Sequence, residues 1–224
     1  MGVDESGGLV VNSGGVLSAT GAGTSAVGHN GTVTGFLTVN SGGLVTVAAP
    51  LEVGAGGSGT VGNLTINGGT VTLSSHLWVG DQSGAVGSIN INSGGVLNIG
   101  GMLGLGTINS TSASGGTGTL NVNDGGILNL GNIQASGLGS VQPGSLLDIY
   151  GSGEVTIHGD FTSVMNGYIA AGRIEGNNVV GNAQAVYNSG LGETLLTVIP
   201  EPSTFALMAL MGAGLVVRRL VRRG

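Results

Sequence analysis

The feature that most constrains this chain is a repeated segment of alternating apolar residues, an asparagine and a glycine pair. It occurs in five copies and in a sixth, degenerate copy in which Tyr150 takes the asparagine position. From one copy to the next, this position advances by 28, 27, 25, 31 and 27 residues. A nearly fixed period indicates a repeat architecture, because a single repeat cannot bury its own apolar face and must stack on its neighbours.

Each copy predicts three short strands. Apolar residues alternate on both sides of the turn, as at Ile89 and Ile91 before it and Leu97 and Ile99 after it. This period of two is that of strands with one buried face. A third short apolar run ends in a glycine, and these glycines lie 26 residues apart at positions 28, 54, 80 and 106.

Three strands per repeat, joined by glycine turns, predict an all-β fold, a parallel β-helix of about six coils. The turn asparagines would then lie above one another at one corner, with their amides hydrogen-bonded along the axis. This predicted turn ladder contains Asn12, Asn40, Asn67, Asn92 and Asn123. The alternative is a β-sandwich of glycine-rich hairpins, since Asn-Gly turns also mark hairpins. We favour the solenoid because the period is nearly constant.

Residues 161–199 break the repeat. Four larger apolar side chains in this region are suited to covering the open end of a solenoid, where exposed strand edges invite aggregation. They are Phe161, Tyr168, Ile169 and Tyr187. We therefore divide the chain into β-helix repeats at 1–160, a cap and spacer at 161–199, and a distinct tail at 200–224.

The composition argues against several functions. Residues 1–199 contain ten acidic residues and one basic residue, Arg173, which excludes an electrostatic surface for nucleic acid. The chain has no cysteine, so it has no disulfide, thiolate metal site or cysteine nucleophile. The histidines are far apart, and acids such as Asp81, Asp124 and Asp148 are interpreted as isolated residues at solvated turns. We predict no metal, no cofactor and no enzymatic activity.

The tail has three parts in order. The two prolines of Pro200-Glu201-Pro202 prevent a helix in the tail from extending through them toward the N-terminus. The apolar stretch 205–217 predicts a short hydrophobic helix that is directed to a membrane, although about 20 apolar residues are usual for a full span. The basic residues that follow are expected to stay on the cytoplasmic side. This basic cluster consists of Arg218, Arg219, Arg222 and Arg223.

This order resembles the PEP-CTERM sorting signal of Gram-negative bacteria. The resemblance implies recognition by an exosortase, a membrane-embedded cysteine protease-transpeptidase, with cleavage near Pro200-Glu201-Pro202. It also implies a precursor in the inner membrane and a mature protein at the cell surface or in the extracellular matrix. The repeats themselves resemble the β-strand repeats of autotransporter passengers.

Two functions from different classes follow from these observations. The first is a structural or adhesive protein of the cell surface or matrix, sorted through its tail. The second is a β-helix that binds or cleaves polysaccharide, with extracellular polysaccharide as a partner and Trp78 as the candidate for stacking against a sugar. Residues 1–5 lack the basic and apolar regions of a secretory signal, so we interpret the chain as a possible truncated reading frame.

Overall fold

In a computed structural model, which describes residues 6–108, 111–134 and 139–199, the repeats wind into stacked parallel coils. Each of the first four coils contributes a strand to each of three faces. Strands of the first face are β1 Gly7–Val11, β4 Thr34–Asn40, β7 Val61–Asn67, β10 Val86–Asn92, β14 Thr117–Val122, β16 Leu146–Ile149 and β18 Ile174–Gly176. The predicted β-solenoid of about six coils is confirmed, and the sandwich alternative is wrong because neighbouring coils pair in parallel.

The second face follows the asparagine turn. Its parallel strands are β2 Val16–Ala19, β5 Leu44–Val47, β8 Thr70–Leu73, β11 Val96–Leu105, β15 Ile127–Asn132 and β17 Glu154–His158. The third face consists of β3 Ser25–His29, β6 Leu51–Ala55, β9 Leu77–Val79 and the last part of β11. A two-stranded insertion, β12 Thr107–Ile108 and β13 Thr111–Ser114, lengthens the fourth coil and accounts for its 31-residue spacing.

The core is a set of aliphatic columns, one residue per coil. On the first face, Leu37, Leu64, Ile89, Leu120 and Leu147 are in register, and the last four have no exposed surface. Because strand neighbours are about 4.8 Å apart, each of these side chains packs directly on the equivalent residue of the coils above and below. The alternating sequence therefore produces one continuous core along the axis.

The two glycines of each turn are required for different physical reasons. In the second coil, Gly42 has φ of +75°, a left-handed conformation that glycine adopts without strain. The next residue, Gly43, donates its N–H to the carbonyl oxygen of Asn40 at 2.8 Å. A Cβ on Gly43 would lie 2.7 Å from the carbonyl oxygen of Val11. The first glycine is thus required for the bend and the second for close approach of the coil beneath.

A second glycine arrangement lies where the third face meets the first. Gly28, Gly54, Gly80 and Gly106 all have positive φ, between 68° and 72°. They face a second glycine column within the strands of the first face. That column consists of Gly35, Gly62, Gly87 and Gly118. A Cβ on Gly54 would lie 2.1 Å from the carbonyl oxygen of Val86, and one on Gly62 would lie 2.1 Å from the nitrogen of Gly54. The two columns let the backbones cross without side chains between them.

The cap begins with helix α1, Thr162–Ala170, which buries Met165, Tyr168 and Ile169 against the last coils. Three more strands complete it: β19 Val179–Val180, β20 Ala183–Asn188 and β21 Glu193–Val198. β21 pairs with β17 in antiparallel fashion, which ends the parallel stack on the second face. Phe161 is half-buried against the core, but Tyr187 is exposed on β20, so the prediction that Tyr187 covers the core is wrong.

Polar groups at the end of the third face are satisfied by the cap. The Tyr168 hydroxyl donates to the carbonyl oxygen of Gln134 and accepts from the amide of Val141 at 3.2 Å. The guanidinium of Arg173 donates to the carbonyl oxygen of Val141 at 2.8 Å and lies 5.9 Å from the centre of the Tyr168 ring. Burial raises the pKa of Tyr168, so its hydroxyl remains a donor near neutral pH.

Candidate functional site

The structure brings the five turn asparagines into one line at the corner between the first and second faces. The side-chain nitrogens of Asn40, Asn67, Asn92 and Asn123 donate to the side-chain oxygen of the asparagine one coil earlier, at 2.8, 3.3, 2.6 and 2.7 Å. Each amide has two donor hydrogens and two acceptor positions, so the ladder uses only part of its capacity. The arrangement fixes the register of neighbouring coils at an exposed corner.

Below the last ladder asparagine, a carboxylate replaces the amide contact. Asp124 accepts hydrogen bonds from the backbone N–H and the hydroxyl of Ser152 in the following coil. These hydrogen bonds lower the pKa of Asp124 from its usual value, and the bond from the Ser152 hydroxyl has the larger effect. Asp124 is therefore at a solvated turn, as the sequence indicates, and joins two coils.

Asp148 contradicts the interpretation of the acids as solvated turn residues, because it has no exposed surface. Its carboxylate accepts from the backbone N–H of Asn178 at 3.1 Å. Asn177 and Asn178 form the two-residue turn between β18 and β19, both with positive φ, and this turn folds back over the carboxylate. Nearby, the Tyr150 hydroxyl donates to the side-chain oxygen of Asn178 at 2.7 Å, and burial is the main cause that raises the pKa of Tyr150. Asp148 thus attaches the cap to the solenoid.

Two further acids and the tryptophan are also buried. Glu52 and Asp81 are 3% and 0% exposed, so the solvated interpretation of Asp81 is wrong as well. Trp78 is 6% exposed, and its ring lies 5.3 Å from the ring of His76. The proposed stacking of a sugar on an exposed Trp78 is therefore wrong. Alternation with Leu77 and Val79 is compatible with an outward Trp78, and the sequence gives no sign that this side of the third face is covered.

Among the described residues, no group of three or more histidine, cysteine, aspartate or glutamate side chains is placed to hold a metal ion. The same part of the chain contains no helix that is long and apolar enough to cross a membrane.

The solenoid leads directly into the tail through the cap. β21 ends at Val198, and the backbone N–H of Ile199 donates to the carbonyl oxygen of Asn182 at 2.9 Å. The next residues are those on which the sorting prediction rests. Pro200, Glu201, Pro202, the predicted helix at 205–217 and the basic cluster lie outside the described residues.

Comparison with known families tests the sorting prediction directly. Residues 198–223 match the PEP-CTERM protein-sorting motif. The predicted resemblance is confirmed, and the PEP-CTERM motif indicates a protein that is exported and sorted by an exosortase to the cell surface. The match begins at the last residue of β21, so the folded cap and the sorting motif are contiguous in the chain. Comparisons with curated proteins and with solved structures gave no significant match.

Proposed function

We propose that this protein is a rigid structural or adhesive element of the cell surface or extracellular matrix. The observation that carries the proposal is the direct connection of a stacked β-solenoid to a PEP-CTERM motif. The solenoid supplies a stiff body whose repeated outer side chains present the same chemistry from coil to coil. The motif supplies the route by which that body reaches the surface.

In this proposal, the apolar segment 205–217 holds the precursor in the inner membrane, and the four arginines after it keep their end in the cytoplasm. The exosortase cleaves near Pro200-Glu201-Pro202 and releases the solenoid from its tail. An apolar stretch of 13 residues is short for a permanent anchor, which suits a segment that is removed.

We also propose that the solenoid acts without catalysis. The positions of two acids on neighbouring coils, Asp124 and Asp148, support this proposal. Asp124 contacts Ser152 at an outer turn, and Asp148 is covered by the cap. A pair of carboxylates that shares an open cleft is what glycoside hydrolysis needs, and these two serve structural contacts instead.

The sorting proposal predicts that deletion of residues 200–224 prevents surface delivery in a host that contains an exosortase. An epitope tag inserted at Gly21–Gly23, an exposed turn, reports the location without touching the tail. We expect surface labelling of intact cells to fall to the level of untagged cells. A second variant, in which Pro200, Glu201 and Pro202 are all alanine, retains the apolar segment and should accumulate as an uncleaved precursor.

The matched control is the unaltered tagged chain in the same host without its exosortase, which should behave like the triple-alanine variant. If the surface labelling and the mature mass are the same for all of these proteins, the sorting proposal is rejected.

A further inference from the structure

An open groove of about 410 Å³ runs along the outer surface of the second face. It crosses β8, β11, β15 and β17 and ends at β21, so its long direction follows the stacking axis. Its lining includes a regular column of polar side chains.

One side of the groove is a column of hydrogen-bonding side chains. Thr72, Asn98, Asn129 and Thr156 are in register on four consecutive strands. The Asn98 amide donates to the hydroxyl of Thr72 at 3.3 Å, and the Asn129 amide donates to the side-chain oxygen of Asn98 at 2.8 Å. Each asparagine thus uses one of its two donor hydrogens along the column. The second donor hydrogen of each asparagine is not used by these two bonds, and both residues line the groove.

The floor of the groove depends on two glycines. Gly100 and Gly131 come two residues after Asn98 and Asn129, and both line the groove. Neither carries a side chain, so the lining at these positions is backbone. A Cβ on Gly131 would lie 2.3 Å from the carbonyl oxygen of Gly100, so the low floor is also a packing requirement.

The ionisable side chains are confined to one end of the groove. His158 and Glu193 are cross-strand partners on β17 and β21, and the rest of the lining is uncharged. No lysine or arginine lines the groove, and its one carboxylate would repel an anion. The surface is therefore suited to an uncharged ligand that both donates and accepts hydrogen bonds along its length.

We propose that this groove binds an uncharged glycan chain that lies along the stacking axis. Glycan hydroxyls are donors and acceptors, which matches the unused capacity of the asparagine and threonine column. The binding groups recur at the strand spacing of about 4.8 Å, so a polymer with a regular repeat can contact several coils at once. The proposal adds a ligand class to the proposed surface function, but binding by the purified protein does not depend on delivery to the surface.

The test is calorimetric titration of the full chain with cellohexaose and maltohexaose, in a zwitterionic detergent so that no detergent sugar competes. We expect at least one of these neutral oligosaccharides to bind, and an oligogalacturonate of the same length not to bind. The double variant N98A/N129A should bind about tenfold more weakly or worse, because it removes two hydrogen-bonding side chains.

The matched control is N90A/N121A. It removes an equivalent ladder bond of 2.9 Å on the first face and leaves the groove intact, so its affinity should equal that of the unaltered chain. S74W adds a bulky side chain at an exposed position of the groove and breaks no ladder bond, and it should also prevent binding. Absence of binding by both neutral oligosaccharides, equal loss in both double variants, or preferred binding of the oligogalacturonate would each overturn the proposal.

Discussion

Replacement of Gly54 by alanine is expected to lower the free energy of unfolding by about 3–5 kcal/mol. Two effects combine at this position. The φ of Gly54 is +71°, which is unfavourable for any residue with a Cβ. The added Cβ would also lie 2.1 Å from the carbonyl oxygen of Val86, which belongs to the backbone of β10 and cannot rotate away.

Gly14 provides the matched control for this prediction. Its φ of +76° is nearly the same, but no heavy atom lies within 4 Å of a Cβ built there. Gly14→Ala should therefore cost only the conformational part, about 1–2 kcal/mol. Urea unfolding followed by the fluorescence of Trp78, the sole tryptophan, measures both variants. Equal destabilisation of the two would show that the crossing of the glycine columns does not contribute.

Replacement of Leu120 by alanine is expected to destabilise the protein by about 2–5 kcal/mol. Leu120 has no exposed surface and lies in register between Ile89 and Leu147 of the adjoining coils. Its loss leaves a cavity in a column that is close-packed above and below, where the neighbouring coils cannot collapse without breaking their own pairing.

Ile127 lies in the same coil and is 36% exposed, and it has the same number of carbon atoms as leucine. Ile127→Ala should therefore change the stability by about 1 kcal/mol or less. The same denaturation experiment compares the two variants. A similar loss at both positions would contradict a core formed by the alternating residues.

The repeat could be read as a solenoid because three local signals agree. Alternation fixes which side chains face inward, the glycine pair fixes the turn, and the period aligns equivalent residues of successive coils. The observed asparagine ladder follows from the same alignment, since in-register residues of neighbouring coils must lie side by side.

Other features depend on contacts between distant parts of the chain and leave no comparable pattern. The regular spacing of Gly54 and Gly80 is present in the sequence. The glycines that they face, Gly62 and Gly87, are determined by the packing of the third face against the first, which the sequence does not show. Likewise, Asp148 occupies an outer strand position like Asn121 in the coil before it, and the turn at Asn178 folds back over it. Tyr187 has a large side chain like the other residues expected in the cap. It lies on β20, however, where its side chain is exposed to solvent.

The groove on the second face is also only partly predictable from the sequence. Its polar column is a repeated Thr or Asn in the alternating pattern, and that repetition is present in the sequence. The open space beside the column depends on Gly100 and Gly131 together with the antiparallel end at Glu193, and the repeat does not predict that end.

Cross-linking of engineered cysteines tests the parallel winding most directly, because the chain has no cysteine of its own. Thr46 and Thr72 are register partners on neighbouring strands of the second face. Their Cα atoms should therefore be about 4.8 Å apart, within the range of about 4.4–6.8 Å that a disulfide spans. Thr46 and Asn98 are in the same column but two coils apart, at about twice that spacing.

On mild oxidation, T46C/T72C should lose both thiols within one molecule, as measured by intact mass and thiol titration, whereas T46C/N98C should keep them. Free thiols in T46C/T72C, or equal cross-linking in the two variants, would contradict the stacked parallel coils.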